Sequence, residues 1–171
     1  MIDPENIPPI ADNELLARFI LNSNEKRDDG NVNHKLFMPY KWAELSVNRH
    51  REASIDETWA IGFDIASQRS KVLYGLANIR ASSCYHATLK VAPDPILPNN
   101  PNHANIMGYP PSKEDQMAVA KVLAASLKAS GNLHLKQRRG HTSRRVARVA
   151  RLPAPNESDE SVNEIAFVRP R

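Results

Sequence analysis

The sequence predicts an α+β fold in which helices cover one face of a small, mostly antiparallel sheet, with a basic and then acidic C-terminal tail. Three observations carry that expectation. Apolar residues after Asp12, Ser54 and Ser112 recur at helical spacing, and short alternating runs between them have the period of strands. The eleven-residue stretch PDPILPNNPNH (93–103) holds four prolines, which excludes a regular helix or a central strand there.

In chain order, Pro4, Pro8 and Pro9 mark an extended lead-in. Asp12 is placed to cap a helix carrying Leu15, Leu16, Phe19 and Ile20 on one face. The polar run EKRDDGNVN (25–33) reads as a surface loop. LSVNR (45–49) reads as a strand, with Leu45 and Val47 inward and Ser46 and Asn48 outward. Ser54 and Glu57 form a capping box ahead of an apolar stripe of Ile55, Trp59, Phe63 and Ala66. Strands near 72–81 and 85–92, with SSC between them, suggest a hairpin. A short strand near 104–109 follows the proline-rich loop. Ser112 then opens a last helix, which Ser130-Gly131 closes. No internal repeat is present.

At 171 residues, with 41% hydrophobic and 25% charged side chains, the chain has the balance of one globular domain. Mean hydropathy is −0.51, and no apolar run reaches the length of a membrane helix. MIDPENIPPI lacks the basic start and apolar core of a secretory signal. The single cysteine, Cys84, excludes an internal disulfide framework and suits a reducing cytoplasm.

Charge is segregated along the chain. Residues 1–131 carry 14 Lys/Arg and 15 Asp/Glu, whereas residues 132–153 carry seven basic residues and no acidic one. Residues 154–171 turn acidic again, with four carboxylates and two arginines. The pI of about 9.3 therefore describes a short segment on a nearly neutral body. The expected boundary is near Gly131, with a charged tail over 132–171 and disorder after the Pro-Ala-Pro break at 153–155.

Within that tail, Arg144, Arg145, Arg148 and Arg151 fall inside an arc of about 120° on a helical projection of 143–152. Arg138 and Arg139 precede them. Arginine forks bind phosphate oxygens bidentately, so nucleic acid is one expected partner and an acidic protein or lipid surface another. The alternative is a solvated tail pairing with its own acidic continuation. No aromatic residue interleaves the arginines, which disfavours single-strand stacking by this segment.

Two histidines stand out in the body. His50 lies between Arg49 and Arg51 at a strand end, an arrangement that favours an anionic ligand and lowers the imidazole pKa. The competing role is a surface histidine whose arginines pair with Glu52, Asp56 or Glu57. His103 sits among Asn99, Asn100, Asn102 and Asn105 in the rigid loop, either as an acid-base group at a ligand rim or in a crossing loop whose amides cap its own backbone. Cys84 and His86 would share a face if both lay on a strand, although a buried structural cysteine is the commoner outcome. HExxH, CxxC, Walker, GxGxxG and GxSxG patterns are absent, so no local motif implies a metal or a cofactor, and the one alternative is a site assembled in space from His50, His86 and His103.

The segments SVNRHR (46–51) and PNHANIMGYP (101–110) resemble stretches shared by small bacterial proteins of unknown function. The likeness spans about residues 35–130 and implies no activity. Taken together, the residues predict a small cytoplasmic binding or accessory protein whose arginine-rich segment contacts nucleic acid or an acidic partner, with no membrane association. Its rivals are a small enzyme on a phosphate-bearing substrate, using His50 and His103 for proton transfer with Arg49 and Arg51 holding the anion, and an interaction subunit of a larger assembly.

Overall fold

Ser54 opens a helix as its position predicts. Its hydroxyl accepts from the Glu57 amide at 3.1 Å, and the Glu57 carboxylate accepts from the Ser54 amide at 2.7 Å. Two amides that a helix start cannot satisfy internally are thereby paired. This helix, α1, spans Ile55–Gln68. The computed structural model describes residues 1–29, 31–40, 43–130 and 133–135. The expected arginine helix at 143–152 and the acidic run after it lie outside the described residues.

Among the described residues, six strands form one antiparallel sheet in the order β4-β5-β2-β1-β3-β6. They are β1 (Leu15–Ile20), β2 (Leu45–Arg49), β3 (Gly75–Arg80), β4 (Lys90–Pro93), β5 (His103–Met107) and β6 (Leu133–Leu135). With the helices α2 (Ala81–His86) and α3 (Lys113–Ser130), this is an α+β fold. None of the described helices is long and apolar enough to cross a membrane. The sheet continues past Gly131, because β6 pairs with β3 from Gly75–Leu135 to Ala77–Leu133.

Two elements depart from expectation. The run after Asp12 is not a helix but β1, the strand between β2 and β3. Leu16 and Ile20 face one core, and Phe19 faces a second core on the opposite side. A strand buried on both faces loses its polar alternation, so a short apolar run such as LLARFI reads equally well as a helix. The hairpin is also absent. SSC belongs to α2, which buries Ala81 and Cys84, while the amides of Ala81 and Ser82 donate to the carbonyls of Glu14 and Asp12. β3 therefore pairs with β1 and β6, and β4 pairs with β5.

Helices sit on both faces rather than one. The larger core joins Leu16, Ile20, Phe37, Val47, Ile79 and Ile106 to Leu123 and Leu127 of α3. On the other face, α1 packs Ile61 and Ala66 against Phe19, Leu73 and Leu76. A Cβ on Gly62 would lie 2.9 Å from the Phe19 and Leu73 side chains, so its absence lets α1 approach this closely.

Candidate functional site

Strand register places a row of polar residues on the α1 side of the sheet. Asn78 of β3 stands opposite Ala17 of β1, Ala17 opposite Asn48 of β2, and Asn48 opposite His103 of β5. Directly paired residues share a face, so the small Ala17 leaves space above it for its longer neighbours. His50, two residues beyond Asn48, shares that face and sends Nε2 to Asn78 Oδ1 at 3.0 Å. Its Nδ1 is 3.4 Å from the Thr58 hydroxyl on α1, which donates to the Ser54 carbonyl.

The His50 pKa is lowered, as expected, but for a different reason. Burial of the imidazole is the largest cause, and His134 adds to it against the opposing hydrogen bond that the ring makes to Asn78. The arginines do not supply the effect. Arg51 is exposed, with its Nε 3.7 Å from Glu52 Oε1.

Arg49 is not placed to hold an external anion. It is fully buried, and its guanidinium meets Glu14 in a bidentate pair, through Nε to Oε1 at 2.5 Å and Nη2 to Oε2 at 2.9 Å. Nη1 and Nη2 also donate to the carbonyls of Pro8 and Pro9. Such a pair is costly to desolvate and far costlier to break on one side. Its consequence here is mechanical, since it fastens the proline-rich lead-in to the sheet.

The loop before β5 roofs the open half of the same face. Asn102 is fully engaged: its Nδ2 donates to the carbonyls of Arg49 and Arg51, and its Oδ1 accepts from the Ile2 amide. Asn100 reaches the sheet differently. Its Nδ2 donates to Asn48 Oδ1 at 2.8 Å, leaving Asn48 Nδ2 and Asn100 Oδ1 buried without partners. Asn48, expected to point outward to solvent, is only 1% exposed because this loop covers it. Each unpaired buried polar atom costs about 1–3 kcal/mol.

Both asparagines line a cavity of about 350 Å³ between α1, the sheet and the loop. Phe19, Leu21, Ile61, Ile65 and Ile96 give it apolar walls, and the exposed Asp64, Gln68 and Arg69 stand at its rim. His103 lines it too. Its Nδ1 lies 2.6 Å from the Asp94 carbonyl and 3.3 Å from the Asp94 carboxylate. Facing a carbonyl, Nδ1 must carry the proton, so Nε2 of the neutral ring is an acceptor.

No family model, no curated protein and no solved structure matches this chain. The site is therefore defined by its own geometry. That geometry brings Asn48, Asn100 and His103 together, whereas His50 lines a separate cavity with Glu14, Leu15 and Arg51. Cys84 lies on α2 rather than a strand, which removes the face it was expected to share with His86. Burial pushes its thiol up to about 12, so it is protonated at neutral pH. No group of three or more His, Cys, Asp or Glu among the described residues could hold a metal ion. Arg138, Arg139, Arg144, Arg145, Arg148 and Arg151 lie outside the described residues.

Sequence reasoning missed Asn48, Asn100 and the Glu14 partner of Arg49. For Arg49 a signal existed. It lies two residues beyond the inward-facing Val47, so strand parity points it into the core. For the asparagines there was only an amide in the middle of a strand and another in a rigid loop, 52 positions apart.

Proposed function

We propose that this chain is a binding or accessory protein that holds phosphate-bearing nucleic acid through its arginine-rich sequence, with the folded body as the platform. The observation that carries this reading is the division of basic charge. Residues 132–153 hold seven basic side chains and no carboxylate. In the body, Arg49 is engaged by Glu14, and Arg18 donates to the carbonyls of Leu36 and Ser46. The body's other basic side chains, the exposed Arg51 and Arg69 among them, are offset by carboxylates, 14 Lys/Arg against 15 Asp/Glu over residues 1–131, so net affinity for a phosphate backbone would reside in the segment that follows β6.

Fluorescence anisotropy with a labelled 20-mer, duplex and single-stranded, tests this on the full chain. If about five charges meet phosphates, log Kd should vary with log salt at a slope of roughly 4–5. Replacing Arg144, Arg145, Arg148 and Arg151 with Gln should weaken retention more than tenfold and flatten that slope. Unchanged retention would refute the proposal.

The enzymatic alternative has one supporting observation, the Asp94 contacts that orient His103 in the groove. Its partner residues argue the other way, since His50 lines a different cavity and Arg49 is internal. Hydrolysis of p-nitrophenyl phosphate that is lost in His103→Gln would favour it.

A further inference from the structure

We infer that the groove beneath α1 binds a flat, uncharged heterocycle whose edge carries a hydrogen-bond acceptor beside a donor, the chemistry of a nucleobase. The site goes beyond the arginine-rich segment and does not depend on it. Asn48 and Asn100, 1% and 7% exposed, share one hydrogen bond and together leave one donor and one acceptor unpartnered. Turning both amides over exchanges which residue donates, and still leaves one of each. Carboxylates and phosphates only accept, and ammonium groups only donate. A lactam or amidine edge offers an acceptor beside a donor, the kind of edge that amide side chains read on a nucleobase.

The walls suit the same ligand. Ile61 and Ile65 on α1 and Ile96 in the loop present apolar surface to the faces of a ring, within a volume of about 350 Å³. His103, directly across from Asn48 in the strand register, adds an imidazole on the same face. The two orphan atoms are closed off from bulk solvent. A small turn of the two side chains that keeps the Asn–Asn bond would bring them to the groove, where the ligand's acceptor takes the Asn48 Nδ2 hydrogen and its donor pairs with Asn100 Oδ1.

The test is a titration of the full-length ¹⁵N-labelled chain with uracil, cytosine, adenine and hypoxanthine, following the side-chain NH₂ resonances of Asn48 and Asn100. At least one base should shift both resonances saturably. 1,3-Dimethyluracil, which keeps the ring but has no N–H donor, should bind at least tenfold more weakly than uracil where uracil is the responder. Ile65→Trp, which fills the groove from α1 without touching either amide, should abolish the shifts while the rest of the spectrum stays native. A dT₁₀ arm separates the sources: shifts from dT₁₀ alone assign the base to a strand, and shifts from free bases assign it to a small molecule. Silence of both amides to every probe, equal binding of the dimethylated ring, or an unaffected Ile65→Trp variant would overturn the inference. So would amides that contact only a trapped water. The arginine-to-glutamine variant should keep the base shifts, so failure of the nucleic-acid proposal and failure of this one are distinguishable.

Discussion

Asn48 and Arg49 are neighbours on β2, point to opposite faces and are both almost completely buried. Arg49 has a partner for each of its three guanidinium nitrogens, whereas the Asn48–Asn100 pair leaves a donor and an acceptor unpaired. The difference separates two uses of a buried polar group. On the larger core's side, the Arg49 guanidinium is paired at every nitrogen and fixes the lead-in against the sheet. On the α1 side it is incomplete, and the deficit sits beside a cavity of ligand size.

The largest effect should come from breaking the satisfied side. Glu14→Leu leaves the Arg49 charge buried without its carboxylate and should destabilise the fold by about 3–5 kcal/mol, read from urea unfolding midpoints. A cost near zero would mean that Arg49 swings out to solvent, and the contrast between the two faces would vanish. Asn102→Ala comes next. It removes three hydrogen bonds, two of them buried, and strands the Ile2 amide and the Arg49 carbonyl, for about 2–3 kcal/mol. Loss of slow hydrogen exchange at the Ile2 amide would locate the damage.

The smallest effect is a pH dependence at His50. Its folded pKa is depressed from the ordinary 6.5, so the unfolded chain takes up a proton first as pH falls. Stability from this group should be fully present above about pH 6.5, decline as pH drops below that value and level off beneath the folded pKa. His50→Gln should flatten that part of the profile. A parent protein that gains stability on acidification through this window would contradict the burial seen here.

Local chemistry was legible in the sequence, and long-range pairing was not. The Ser54–Glu57 box lies within four residues, as does the Ser112 hydroxyl that accepts from the Asp115 amide at 3.1 Å, and both helices begin where expected. LSVNR became β2 with its inward residues correctly placed up to Val47. β1 was misread because it is apolar towards both cores, and α2 because its short ASSCYH sequence carries no cap signal of its own. The groove depends on contacts between segments some fifty residues apart, which no local period encodes. The SVNRHR and PNHANIMGYP segments do meet, however, as the paired strands β2 and β5.

The most direct test replaces both groove amides together, as Asn48→Leu/Asn100→Leu, and measures the urea unfolding midpoint against the parent. Removing two half-satisfied amides at once should leave stability unchanged or raise it by about 1–2 kcal/mol, while eliminating base binding. A loss of about 3 kcal/mol or more, comparable to breaking Arg49 from Glu14, would show that the asparagines serve the fold as the arginine does and would contradict the distinction between the two faces.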